Sequence, residues 1–77
     1  MQHLPHADDW ITRERRHIGD TVRGERIRQN LTQDAVWLAA GISRGTLQRA
    51  EAGEDVTLST LLRILRVLGM PFAALDH

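Results

Sequence analysis

Apolar side chains recur every three or four residues along most of the chain, and glycine, asparagine or proline interrupts them at short intervals. This spacing is typical of amphipathic α-helices, whereas the strict alternation expected of half-buried strands is nearly absent. The pattern predicts a compact all-α domain of five short helices with short connections. The predicted segments are residues 18–29 (about Ile18 to Gln29), 33–40, 44–52 and 58–69, and a last turn or short helix within 71–77.

Capping residues set these predicted boundaries. Serine and threonine are favoured N-caps because their hydroxyl oxygens accept a hydrogen bond from a free backbone N–H of the first turn. Glycine is favoured just past a helix end because it adopts positive φ freely. The expected starts are at Thr32, Ser43 and either Thr57 or Val56, and the expected ends are at Asn30, Gly41, Gly53 and Gly69, with Pro71 beyond the last of these.

Residues 1–17 precede this set of helices. Residues 1–8 contain Pro5 and show no periodicity, which predicts a flexible lead-in. From Asp9 the sequence permits a helix, so the first helix is expected to have an N-terminal extension, and the pattern leaves open whether the two are continuous. We therefore divide the chain into an extension over 1–17, partly flexible or helical, and a domain over 18–75.

The fourth predicted helix has more apolar residues than one face needs. Leucines at 58, 61, 62, 65 and 68 form a helical stripe that we expect to face the core. The apolar residues outside this stripe form a candidate dimer interface, consisting of Ile64, Val67, Phe72 and Leu75. The alternative is that these residues cover the core from the C-terminal side or receive Trp10 and Ile11, and the sequence favours neither.

Two charged residues fall on helix faces that are otherwise apolar. Arg26 follows Val22 by four residues on the first helix, and Glu51 follows Leu47 by four on the third. A charge on an inner face needs a partner, because the energetic cost of an unpaired buried charge is high. We expect Arg26 and Glu51 to form an ion pair between the two helices; the alternative is that each side chain extends to solvent.

Composition narrows the function. The 77 residues allow one domain, the formal net charge is zero, and the ten positive side chains are all arginine. There is no cysteine, no apolar run of membrane-spanning length, no metal-ligand cluster around the four histidines and no catalytic constellation. We expect a soluble, cytoplasmic protein that is not an enzyme and has no cofactor, metal or membrane partner.

The segment from Gln33 to Ala52 resembles the helix-turn-helix of the lambda-repressor and Cro-like family, also called XRE-type regulators. The similar features are "LTQ" entering the second helix, "GIS" at the turn, "EAG" closing the third helix, and the Arg26 and Glu51 positions. The resemblance covers about residues 18–75, with the core at 33–52. It implies a lambda-repressor-like fold that binds double-stranded DNA, with the third helix in the major groove.

The resemblance and the helical spacing together give candidate contacts. Spacing places Arg44, Gly45, Gln48 and Arg49 away from the core face, with Thr46 at its edge. Arginine suits guanine and glutamine suits adenine, while Gly45 stands where the family often has a contacting side chain. The candidate base contacts are Arg44, Gly45, Thr46, Gln48 and Arg49, and the candidate phosphate contacts are Thr32, Gln33, Ser43 and Arg23.

Two features depart from the family pattern. Trp37 replaces a usual alanine in the second helix and Ala50 replaces a usual larger residue in the third, so we expect Trp37 to fill the space that Ala50 leaves. Glu54 and Asp55 place two carboxylates where relatives often approach phosphate. We expect a homodimeric transcriptional repressor; the alternative is a protein-interaction module of the same fold, an antitoxin or anti-repressor acting through its apolar C-terminal surface.

Overall fold

The computed structural model of the protein describes residues 8–76 and contains four α-helices followed by a 3-10 turn, with no strand in this part of the chain. The predicted all-α architecture is therefore confirmed; the last predicted segment, a turn or short helix, is a 3-10 turn, so this part of the chain has four α-helices and not five helices. The elements are α1 (Asp9–Arg28), α2 (Gln33–Ala40), α3 (Arg44–Glu51), α4 (Leu58–Leu68) and the 3-10 turn (Phe72–Leu75).

Helix α1 is one continuous helix of 20 residues, so it begins nine residues before the predicted start at Ile18. At 1.5 Å per residue, its length is about 30 Å. Residues 9–17 are thus a helical part of α1, and the predicted flexible lead-in falls, apart from Asp8, outside the described residues. The helix ends next to Asn30, which has φ 58° and changes the chain direction toward α2.

The three shorter α-helices begin at hydroxyl caps. The side chains of Thr32, Ser43 and Thr57 each accept a hydrogen bond from the backbone N–H three residues ahead, at 3.0, 3.1 and 3.1 Å. Thr57, not Val56, is therefore the N-cap of α4. Between α2 and α3, Gly41 has φ 71°, a left-handed conformation that favours glycine. The predicted limits of α2 and α3 are confirmed to within one residue.

The core lies where α1, α3 and the 3-10 turn meet α2 and α4. Its members come from every element, and they are Val22, Val36, Leu47, Ala50, Ile64, Leu65, Leu68 and Leu75. The predicted stripe of α4 is partly wrong, because Leu58 and Leu62 are 60% and 46% exposed whereas Ile64 is fully buried. Positions 61, 64, 65 and 68 have the same helical spacing as the predicted stripe, and packing against both α1 and α2 selects this face.

The same burial corrects the candidate dimer interface. Ile64 and Leu75 belong to the core and are not available to a second molecule, so these two residues cover the core as the alternative interpretation proposed. Val67 is half-buried and packs against the core, and Phe72 remains exposed. Only part of the predicted interface is therefore on the surface.

A close backbone contact fixes α3 against α1. A Cβ atom at Gly19 would lie 2.7 Å from the carbonyl oxygen of Ala50 and 2.9 Å from that of Glu51, distances that real Cβ atoms do not reach. Glycine at this position lets the backbone of α1 touch the last turn of α3 directly. The contact orients α3, and with it the opposite, exposed face of that helix.

Candidate nucleic-acid interface

Helix α3 has one buried and one exposed face. Leu47, Ala50 and Glu51 are buried, and the opposite face exposes Arg44, Gly45, Gln48 and Arg49, with Thr46 half-buried at the edge. The tight turn at Gly41 holds α3 against α2, and Ile42 N–H donates to the Trp37 carbonyl at 3.1 Å. The five predicted base contacts therefore lie together along one side of a short, firmly held helix.

A buried ion pair supports this helix from below, as the sequence predicted. Arg26 Nε donates to Glu51 Oε2 at 2.7 Å and NH2 donates to Oε1 at 3.0 Å, and the two side chains are only 11% and 4% exposed. Arg26 NH1 also donates to the carbonyl of Leu31 at 2.8 Å. Hydrogen bonding to Glu51 raises the pKa of Arg26 above its usual value. The pair ties the end of α3 to α1 and to the loop before α2.

Gln33 connects this buried pair to the exposed face of α3. Its Nε2 donates to Glu51 Oε1 at 3.3 Å, and its Oε1 accepts a hydrogen bond from Gln48 Nε2 at 3.5 Å. The half-buried Gln33 amide thus bridges the core carboxylate and one of the candidate base contacts. The sequence predicted a phosphate contact for Gln33 but did not predict this bridge.

A second chain of hydrogen bonds starts from Asp34, the next residue of α2. Asp34 Oδ1 accepts from Trp37 Nε1 at 2.8 Å and from Arg44 NH2 at 3.0 Å. Hydrogen bonding from Trp37, followed by the charge and hydrogen bond of Arg44, lowers the pKa of Asp34 below its usual range. Unlike the buried pair, the Asp34 and Arg44 side chains are 56% and 59% exposed.

Hydroxyl groups occupy the first turn of α3. Ser43 Oγ and Thr46 Oγ1 are 2.8 Å apart and share one hydrogen bond that either hydroxyl can donate, and Arg49 NH2 donates to Thr46 Oγ1 at 3.4 Å. Thr32 and Ser43 are both occupied as helix caps in the structure. Arg23 is exposed on α1, and within residues 8–76 no carboxylate pairs with it.

Space remains beside Ala50, and Trp37 does not line it. Trp37 is half-buried and packs against the core with its N–H turned to Asp34. Ala50 instead lines a pocket of about 220 Å³ together with Ile18 and Leu61, and Trp37 is not part of its lining. Helices α2 and α3 remain packed together with both substitutions present.

The two carboxylates after α3 are both exposed. Asp55 lines a surface depression together with Thr46, Arg49 and Thr60, so one negative charge stands beside the exposed face of α3. With Asp34 on the other side, the arginines of this face are placed between carboxylates.

A family model described as Helix-turn-helix matches residues 22–75. The chain belongs to the XRE-type, lambda-repressor-like helix-turn-helix family. This membership supports DNA binding, because the family consists of DNA-binding regulators. A comparison with curated proteins gives no match.

The match to the helix-turn-helix family begins within α1 and ends at the 3-10 turn, so it includes every element of the core but not residues 9–21. Within residues 8–76, no group of three His, Asp or Glu side chains is arranged to hold a metal ion. In the same residues, no helix is long and apolar enough to cross a membrane. The exposed face of α3 is the candidate site that the family membership and the geometry have in common.

Proposed function

We propose that the protein binds double-stranded DNA sequence-specifically and regulates transcription, inserting α3 into the major groove. A B-DNA major groove about 12 Å wide admits one α-helix. The observation that carries the proposal is the exposed polar face of α3, which is held from below by the buried pair of Arg26 and Glu51. Helix α2 would then cross the DNA backbone, as in other helix-turn-helix domains.

Arg44, Gln48 and Arg49 are the proposed base contacts with long side chains. An arginine fork suits O6 and N7 of guanine and a glutamine amide suits N6 and N7 of adenine, each worth about 1 to 3 kcal/mol of discrimination. Thr46 is half-buried at the edge of this face. Gly45 is exposed and has no side chain, so a contact there would come from the backbone.

Phosphate contacts are proposed for the residues at the starts of α2 and α3 and for one arginine of α1. Helix N-termini favour anions because their first backbone N–H groups point outward and the helix dipole is positive there. Gln33 is the distinctive candidate, since only one of its amide hydrogens is used by Glu51. The other proposed phosphate contacts are Thr32, Ser43 and Arg23.

Dimerisation and repression are also proposals. A single recognition helix contacts few base pairs, and two-fold dimers that bind half-sites about 34 Å apart increase specificity. The exposed residues left from the predicted interface are Phe72 and the outer part of Val67. Phe72 and Ile18 line the same surface depression. Ile18 also lines a pocket whose lining includes the exposed Leu58. This apolar surface extends the proposed dimer contact toward α1.

The second candidate is a protein-interaction module of the same fold, acting through an apolar C-terminal surface as an antitoxin or anti-repressor does. Two observations favour it. Carboxylates at Asp34 and Asp55 lie beside the proposed DNA-contacting face, and two large apolar side chains are exposed, Leu62 on α4 and Phe72 on the 3-10 turn. In that case the arginines of α3 would not select a base sequence.

Selection from a randomised duplex pool, followed by affinity measurements across salt concentrations, separates the two candidates. The proposal predicts an enriched two-fold sequence with half-sites about one helical turn apart and a steep salt dependence. Arg49→Ala should then relax preference at one base pair, whereas Gln33→Ala should weaken all sequences alike. Weak binding at low salt without enrichment would instead support the protein-interaction module.

A further inference from the structure

One oxygen atom joins a core-packed ring to the first arginine of α3. Asp34 Oδ1 accepts hydrogen bonds from both Trp37 Nε1 and Arg44 NH2, at 2.8 and 3.0 Å. We propose that Asp34, itself held by Trp37, is a positioning residue that orients the Arg44 guanidinium toward one base pair and so determines discrimination at that pair. This inference rests on the proposed base contact of Arg44.

The direction of the Asp34 carboxylate is fixed from the core side. Trp37 packs against the hydrophobic core and follows Asp34 by three residues on α2, so the two side chains are neighbours on one helix face. An indole ring has only two side-chain torsions, and its packing restrains both. The N–H group therefore presents a hydrogen-bond donor of fixed position, and the carboxylate that accepts from it is held in turn.

The exposed guanidinium of Arg44 is the group that needs such support. A long arginine side chain on a protein surface samples many rotamers, and ordering it on binding reduces affinity for its target. The bond to Asp34 uses one hydrogen of NH2, and the other N–H groups of the fork remain available to guanine O6 and N7. Arg44 can thus keep Asp34 as a partner while it contacts a base.

Positioning of Arg44 favours discrimination, whereas the negative charge of Asp34 opposes binding to DNA. A carboxylate 3.0 Å from a base-contacting arginine lies close enough to DNA to be repelled by the phosphates. Asp34 should therefore lower affinity for every sequence while raising the ratio between the right and the wrong base pair. A changed ratio distinguishes positioning from a purely structural role, which would change the affinities for both duplexes by the same factor and leave their ratio unchanged.

The experiment measures affinity for two duplexes at one salt concentration. One duplex carries the selected sequence, and the other carries the same sequence with a replacement at the base pair that Arg44 contacts. Asp34→Asn should reduce the affinity ratio by about threefold to tenfold and should raise affinity for the replaced sequence. Trp37→Phe, which removes the N–H donor without changing charge, should reduce the ratio without that rise. Asp55→Asn is the matched control, because it removes an exposed carboxylate beside Arg49 and should raise both affinities equally.

A measurement on the free protein tests the positioning directly. The ¹⁵N relaxation of the Arg44 Nε–H group should show greater mobility in Asp34→Asn than in the wild type. Unchanged mobility, or an unchanged affinity ratio in Asp34→Asn, would overturn the inference. If Arg44→Ala reduces the ratio and Asp34→Asn does not, only the positioning role fails; if Arg44→Ala itself leaves the ratio unchanged, the proposed base contact fails as well.

Discussion

Two arginine–carboxylate pairs hold α3, one to α1 and one to α2, and they differ mainly in their access to solvent. Arg26 and Glu51 are nearly buried and form two hydrogen bonds, whereas Arg44 and Asp34 are more than half exposed and form one. The inner pair, Arg26 and Glu51, joins α1 to α3 and so fixes the position of α3. The outer pair, Arg44 and Asp34, lies on the exposed surface beside α3, where water and any ligand compete for the same hydrogen bonds.

Similar chemistry serves two purposes in this molecule, according to how deeply each pair is buried. Removing one member of a buried pair leaves an uncompensated charge in the interior, and the free energy of unfolding then falls strongly. Removing one member of an exposed pair changes stability little, because water replaces the partner. Stability should therefore depend on the inner pair and DNA discrimination on the outer pair.

The largest expected effect is the loss of stability when the inner pair is broken. Glu51→Gln should lower the free energy of unfolding by about 3 to 5 kcal/mol, because Arg26 then stays buried without a carboxylate. Thermal or urea unfolding followed by circular dichroism measures the loss. The double variant Arg26→Met/Glu51→Leu should recover most of it, and Glu25→Gln should have a much smaller effect, because its partner Arg28 is 70% exposed. Equal losses in Glu51→Gln and Glu25→Gln would contradict the assignment.

The α1–α3 contact provides a second test of the interior. Gly19→Ala should destabilise the protein by about 1 to 3 kcal/mol, because the added methyl group would overlap backbone carbonyl oxygens of α3. Gly24→Ala is the matched control on the same helix, where nothing lies within 4 Å of the added atom. That variant should stabilise α1 by about 0.5 to 1 kcal/mol. Stabilisation by Gly19→Ala, as expected for Gly24→Ala, would show that the close contact is not formed.

A substitution in the outer pair should change the preference for one base pair and should leave stability nearly unchanged. Arg44→Ala should leave the unfolding midpoint nearly unchanged while it removes about 1 to 3 kcal/mol of preference at one base pair. Binding to the selected duplex and to its single base-pair variants measures this preference. A large fall in the unfolding midpoint would mean that the exposed pair is structural, and the comparison between the two pairs would then be wrong.

The smallest effect is the titration of the outer pair. The Trp37 N–H and the Arg44 charge lower the pKa of Asp34 below its ordinary value of 3.8, so the carboxylate stabilises the fold at neutral pH and loses this contribution as pH falls through the lowered pKa. The Trp37 indole N–H resonance should shift with a midpoint below 3.8. Asp34→Asn should abolish the shift. A midpoint at or above 3.8 would contradict the hydrogen bond.

The sequence predicted the parts of the molecule that depend on local signals. Hydroxyl caps and a glycine turn located α2 and α3, because capping is decided by neighbours within one turn. The pair of Arg26 and Glu51 was predictable because each charge interrupts an apolar face at helical spacing. In both cases the physical cause lies in residues close together in the sequence or on one helix face.

The face of α4 and the outer pair required the tertiary structure. Two overlapping stripes on α4 satisfy the same periodicity, and only packing against α1 and α2 buries Ile64 rather than Leu62. The bond between Asp34 and Arg44 crosses the turn and depends on side-chain torsions that periodicity does not determine. The available signal was Trp37 three residues after Asp34, a donor and an acceptor on one helix face.

The glycine contact between α1 and α3 also determines which sequences this fold can accept. Every other amino acid has a Cβ atom, so at position 19 all alternatives meet the same backbone oxygens before the rest of the side chain matters. At position 24 the space is open, and substitution there is limited only by helix propensity. A randomised library of α1 should therefore return glycine at position 19 and a broad set of helix-forming residues five positions later.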